Sequence, residues 1–493
     1  MLLLAVAVLS TTGYFGYLVW TDDSCADGVT RVQHECVGVT DGSYVFTDDL
    51  GPVTARIKEE NDSVAGKNPV TVALMIPLVS DAQAERREMV EQVQGAYLAQ
   101  HRANLDSGHQ PPVRLVLANP GKGYGQWRRV ADQLARSAKG KENLRAVTGI
   151  NISITNAKDA VGHLTAKLGI PVVAGPMTAD DIANTTAEPD GFPGLARVAP
   201  SNTDQANALT FYGADIKPAE SLVIEDTRKN DNYISTLREA FARLTKGAPH
   251  KPESFESPED FNQEGNLGGE FQRMVPGICN SPARTLFFAG RPVQLRLFLV
   301  ALANRKCDKP YTVITGSHAS TLMVDQKFEK EWESLKWNGG TTVRYTALAH
   351  PDAWGPQSTA STGGSKEAMA DLAGRLTEEA TKQPERIGPA SLRDGRVIIT
   401  YDAVSTAVAG IRLETDSSGR MPGLREVALS WRRLHNDIRV DGASGWICLD
   451  SNGNPHNKAV PVVHLDPDSR NAVLDAVAWP LGHAPDINCS IGA

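Results

Sequence analysis

The groups that could do chemistry in this 493-residue chain sit in short polar clusters, each closing an apolar run. Thr148-Gly149-Ile150-Asn151-Ile152-Ser153-Ile154-Thr155-Asn156 lies where a strand ends and a helix begins. The first amides of a helix are unsatisfied and partly positive. With the hydroxyls of Ser153 and Thr155 beside them, they could hold a carboxylate or another anion. The same hydroxyls would serve equally well as helix caps. Gly175-Pro176-Met177-Thr178-Ala179-Asp180-Asp181 follows the neighbouring strand. Thr178 falls at that strand's carboxyl end, where open α/β sheets bind ligands, and Asp180 reads as a cap. In the second half Asp226, Tyr233, Arg291 and Ser317 stand after further strands. An aspartate suits an ammonium group, a tyrosine gives an apolar wall with a polar tip, and an arginine is a strong anion contact. Asp231 reads equally as a solvated helix start.

Catalysis has no such support. Asn119-Pro120-Gly121-Lys122-Gly123-Tyr124-Gly125 follows a strand, but it matches neither G-x-G-x-x-G nor a P-loop. Gly442-Ala443-Ser444-Gly445-Trp446 is not a G-x-S-x-G elbow and follows a helix instead of a strand. The 11 histidines form no H-E-x-x-H, and the 6 cysteines no C-x-x-C. No catalytic residue, metal site or cofactor is therefore assigned. An amide hydrolase built on Asp226 or His318 is the weaker alternative.

The elements that must position these clusters alternate. Thr71–Leu78 is a near-continuous apolar run, as a central parallel strand requires. Helix 82–102, strand 113–118, helix 127–137, strand 145–149, helix 156–168, strand 170–175 and strand 195–200 follow. A second block runs through helix 203–212, strand 221–225, helix 233–244, helix 270–275, strand 285–290, helix 293–304 and strand 312–315. A strand over 342–347 then returns toward the first block, followed by helices 366–383 and 401–413. Alternation of this kind builds parallel sheets covered on both faces. The expected fold is α/β: two doubly wound parallel-sheet lobes joined by a hinge of three crossings, near 201–204, 349–351 and 439–442. Lobe one takes 70–203 with 350–438, and lobe two takes 204–349 with 439–470. Residues 21–69 are expected as a juxtamembrane stalk or cap, and 471–493 as a C-terminal tail.

Hydrophobic residues at 41% and charged residues at 22% are an ordinary globular balance. A net charge of -8 argues against a nucleic-acid partner. Met1–Trp20 carries no charged side chain and is long enough to cross about 30 Å of hydrocarbon. It lacks a basic n-region and a small-x-small cleavage site, so an uncleaved membrane anchor is favoured over a cleaved or lipoprotein signal. The bulk of the chain would then lie outside the cell. The even cysteine count fits disulfides in an oxidising compartment. Pairing of neighbours (Cys25 with Cys36, Cys279 with Cys307, Cys448 with Cys489) closes only local loops and is the expected connectivity among those possible.

From Val70 to Leu465 the chain resembles the branched-chain amino-acid-binding branch of the type I periplasmic-binding family. The motifs that carry the resemblance are VTVALMIPL, GINISIT with AGPMT, RVAPSNTDQA, YDAV and GASGWICLDSNGNP. The stretch from Phe288-Ala289-Gly290-Arg291 to Trp354 resembles an exported actinobacterial subgroup. The resemblance implies a lobe–hinge–lobe clamp that closes on a small polar, amino-acid-like solute for an ABC importer, with an ABC permease as partner. Ser153 and Thr178 match the hydroxyls that hold a ligand α-carboxylate in that family, and Tyr233 matches a tyrosine of the second lobe. A membrane-anchored sensor or interaction module is the alternative role.

Overall fold

Val70–Met75 is buried at every residue and pairs in parallel on both sides, with Val113–Asn119 and Leu144–Gly149. Both faces of this strand are covered, so its sequence runs apolar without alternation. The computed structural model describes residues 24–491 apart from 107, 109, 213–215, 382–385 and 417. It shows a mixed α/β protein with two large sheets. The first orders its strands Ser24–Ala26, Val29–Val32, Glu35–Thr40, Val113–Asn119, Val70–Met75, Leu144–Gly149, Val172–Ala174 and Leu195–Arg197. The second orders Glu253–Phe255, Ser221–Asp226, Thr285–Ala289, Tyr311–Thr315, Thr341–Thr346, Val460–Asp466 and Asn471–Ala478.

Two expectations are corrected at the sheet edges. Residues 24–64, within the segment expected as a stalk or cap, are built into the first lobe. Glu35–Thr40 pairs antiparallel with Val113–Asn119 and extends the first sheet. The helix Gly51–Val64 then seals that extension through buried Asn61, whose Nδ2 donates to the carbonyls of Asp41 (2.9 Å) and Leu115 (2.7 Å). The first part of the expected tail likewise belongs to the second sheet, because Asn471–Ala478 pairs antiparallel with Val460–Asp466. The strand expected to return to lobe one, Thr341–Thr346, stays in the second sheet beside Tyr311–Thr315.

The crossings follow from which core each residue enters. Val198 and Ala199 lie in the first lobe's core, whereas Ala208 and Leu209 lie in the second's. Leu348, Ala349 and Trp354 bring the chain back into the first core. The third crossing is not at 439–442. There a short hairpin, Val440–Gly442 with Gly445–Ile447, is pinned to lobe one. Buried Asp402, on the helix Arg396–Leu413, accepts from the amides of Ala443 (2.9 Å) and Ser444 (2.8 Å). The change of lobe comes after Lys458, with Val460 and Val462 packed in the second lobe. The helices Gln83–Leu105 and Arg396–Leu413 touch at Gly95, where a Cβ would stand 2.4 Å from the Val397 carbonyl.

Disulfides join Cys25 to Cys36, Cys279 to Cys307 and Cys448 to Cys489. The apolar segment 1–20 lies outside the described residues. Among those described, no helix is long and apolar enough to cross a membrane.

Candidate functional site

Loops at the carboxyl ends of five strands face one another across the gap between the lobes. In the first lobe the chain leaves Leu144–Gly149 through Gly149 at φ 95 and Ile150 at φ 46. A β-branched residue in the left-handed region is strained, and such strain persists only where surrounding bonds hold it. The Ile150 amide donates to Met75 O at 3.0 Å. The Tyr124 hydroxyl donates to Met75 O and accepts from the Asn151 amide, both at 3.1 Å. The loop 150–154 is thereby presented to the other lobe in one conformation.

Direct hydrogen bonds cross the gap. The Tyr233 amide donates to Ser153 O (3.1 Å) and the Thr155 amide to Asn230 O (3.2 Å). Asn232 Nδ2 donates to Asp181 Oδ2 at 2.6 Å. At the centre, Arg291 grips Asp231 through two nitrogens, at 2.9 and 2.8 Å, and donates to Ser153 O at 3.3 Å. Arg291 also lies over the rings of Tyr233 (4.7 Å) and Phe261 (5.0 Å). Burial lowers its pKa to about 10, so it stays charged at neutral pH. Asp231 caps the helix Asn232–Leu244 by accepting from the Ile234 amide (3.1 Å), and Arg228 binds it from the other side.

Two spaces lie in the gap, and Arg291 lines the inner one. The inner space, among Ser153, Thr178, Tyr233, Arg291, Ser317 and His318, is about 20 Å³. Such a void holds one water molecule, not a carboxylate-bearing solute. The outer space is about 860 Å³, walled by both lobes, and Thr155 alone of the seven expected ligand residues lines it. Ser153 Oγ accepts from the Ala179 amide at 3.3 Å and so serves the loop. Asp226 reaches neither space. Its carboxylate is turned inward, accepting from the amides of Arg228 (3.0 Å) and Ser257 (3.1 Å) and from the Ser257 hydroxyl. Arg291 is not a free anion contact, because Asp231 neutralises it. The expectation missed Asp231 as the partner, sixty residues away from Arg291.

The outer cavity adds groups that sequence reasoning did not select. The helix Gln83–Leu105 presents Glu85, Glu88, Met89 and Gln92 to it. Their spacing of three, four and seven places them on one face. Despite burial, Glu88 is held at about 2 by Arg396, by His318 at 3.9 Å and by a hydrogen bond from the Thr321 hydroxyl. Burial lowers His318 to about 4, so its ring is neutral at pH 7. Glu85 shifts the other way, pushed up by burial against hydrogen bonds from Ser80 Oγ (2.6 Å) and Asn262 Nδ2 (2.8 Å). No amphipathic stripe marks this face, because the helix is buried on every side from Glu88 to Gln100. Among the described residues no group of three His, Cys, Asp or Glu side chains could hold a metal ion.

No family model and no curated protein matches the chain. Solved structures do match. The leucine-binding protein LivK of Thermotoga maritima is 17% identical, with a TM-score of 0.58 over 84% of this chain and 100% of LivK. LivJ of Streptococcus pneumoniae, in complex with isoleucine, gives 13% and 0.58 over 83% of this chain and 99% of that one. A solute-binding protein of an ABC transporter from R. palustris, in complex with 4-hydroxybenzoate, gives 13% and 0.58 over 83% and 96%. The fold is that of the type I periplasmic-binding proteins. At these identities the likeness speaks for fold alone. LivJ is a branched-chain amino acid transporter substrate-binding protein, and a further match, from Desulfitobacterium hafniense, is an ABC transporter substrate-binding protein in complex with Leu.

Proposed function

We propose that this chain is an extracytoplasmic solute-binding protein that traps a small polar solute between its lobes and delivers it to an ABC importer. The observation that carries this reading is the cavity of about 860 Å³ walled by residues of both lobes, beside direct bonds across the gap. A solute touching both walls only when they meet shifts the open–closed balance toward closure. Three disulfides support a location outside the cytoplasm. An ABC permease is the implied partner, and residues 1–20 are read as the membrane anchor. The amino-acid-like solute expected from the resemblance is narrowed by the inner space, which at about 20 Å³ leaves no room for an α-carboxylate among Ser153, Thr178 and Arg291. The solute is therefore read as filling the outer cavity, with Thr155 at its wall. Ser153, Thr178, Tyr233, Arg291 and Ser317 are read as closing the lobes.

A thermal-shift screen of the full-length protein tests this against amino acids, amides, aromatic acids, sugars and amines. A ligand at a hundred times its Kd raises stability by about 2.7 kcal/mol. A true solute also reduces the radius of gyration in small-angle scattering or leaves it at the closed value. Absence of any stabilising compound across all five classes overturns the reading.

A further inference from the structure

The outer cavity is charged unevenly, and its charges are not equally satisfied. Five carboxylates line it against three Lys or Arg side chains. Two of the carboxylates already have cationic partners. Glu88 is bound by Arg396 Nη2 at 3.1 Å, and Asp260 by Lys122 Nζ at 2.9 Å. Glu85 has none among the described residues. Its two oxygens accept only from the Ser80 hydroxyl and the Asn262 amide, one from each lobe. Two turns along the same helix face, Gln92 is 1% exposed, lines the same cavity, and its Oε1 has no hydrogen-bond partner. A buried acceptor left unmade costs free energy, and a half-buried carboxylate with no cation in direct contact adds to that cost. Both groups ask for N–H donors, and one asks for positive charge.

Resting on the solute-binding reading above, we propose that the solute carries an ammonium or amidinium group, held by the Glu85 carboxylate and the Gln92 carbonyl. Met89 and the half-buried Phe261, between these acceptors and the opposite wall, supply apolar surface for a short carbon chain. The solute needs no α-carboxylate, because the hydroxyl subsite that would hold one is only about 20 Å³. Burial pushes the Glu85 carboxyl up, and the nearby Glu88 and Asp260 charges add to that push. A cation bound at Glu85 relieves both effects, whereas an anionic solute would worsen them. Asn262 reaches Glu85 from the second lobe, so the acceptor is assembled only when the lobes meet. Recognition of the charge and closure are thus one event.

Isothermal titration of the full-length protein with putrescine, agmatine, choline, leucine and 4-hydroxybenzoate tests the assignment. The expected result is binding of putrescine or agmatine. Choline, which has charge but no N–H donor, should bind more weakly than either. Glu85→Gln, which keeps the shape and can still bond Ser80 and Asn262, should weaken amine binding by about tenfold or more. Gln92→Leu should weaken it independently, and an unchanged melting temperature shows that each variant is folded. If leucine or 4-hydroxybenzoate binds instead, and Glu85→Gln leaves that affinity unchanged, the cation assignment falls while solute capture stands. If no probe binds, the cation assignment falls, and the broader screen decides the solute-binding reading.

Discussion

Replacing Arg291 by Met tests the central joint of the molecule. Arg291 is 2% exposed and its partner Asp231 has a fully buried side chain. Breaking a buried ion pair from one side costs about 3–5 kcal/mol, since the remaining charge stays buried without its counter-charge. Here Arg228 still binds Asp231, which places the expected loss at the lower end, about 3 kcal/mol. Met fills much of the volume, so little of that loss is cavity formation. The variant also loses the bond from Arg291 to Ser153 O, which joins the lobes. Chemical unfolding measures the loss, and small-angle scattering of the ligand-free variant should show a larger radius of gyration than the parent. A double-mutant cycle with Asp231→Asn isolates the pair, because asparagine keeps the helix cap. A loss under about 1 kcal/mol, or no coupling between the two positions, would refute the claim that Asp231 holds Arg291 in place to meet Ser153 of the other lobe.

Two further outcomes follow from buried charge elsewhere. Acid should destabilise the protein in two stages. His318 is depressed from 6.5 to about 4, so its stabilising contribution is complete above pH 6.5 and is lost as pH falls from 6.5 toward 4. Glu88, held at about 2, loses its contribution between about pH 4.5 and 2. Each group adds a slope of about 1.4 kcal/mol per pH unit within its window. His318→Gln should flatten the first stage in denaturant titrations between pH 4 and 7, and an unaltered slope there would remove His318 as its cause. Asp402→Asn should cost about 3 kcal/mol, because buried Lys458 would face no counter-charge and the Gly442–Ser444 turn would lose its carboxylate. Amide exchange at Ala443 and Ser444 should rise with it. Protection equal to the parent would show that the hairpin is held by packing alone.

Much of the scaffold was readable from local pattern. Val70–Met75, Thr285–Ala289 and Tyr311–Thr315 announce themselves as buried parallel strands, because a strand covered on both faces has no need of polar residues. The helix starts at Thr155, Asn232 and Pro292 lie within a residue of where polar clusters end apolar runs. The edges were not readable. Glu35–Thr40 and Asn471–Ala478 are short or mixed in polarity, and which strand they join depends on which sheet edge lies open beside them.

The candidate site divides along the same line. Sequence alone determined which loops would meet, since strand ends of a doubly wound sheet gather at one side and Ser153, Thr178, Tyr233, Arg291 and Ser317 stand there. Only the tertiary structure decided what those side chains do. Arg291 finds Asp231 on a different loop, the inner space that Arg291 lines is about 20 Å³, and the open volume moves to the face of the helix Gln83–Leu105. Local pattern encodes where a residue sits along its own element. Which distant charge it will neutralise is set by how neighbouring strands of the second sheet bring their loops together, and no spacing along the chain records that distance.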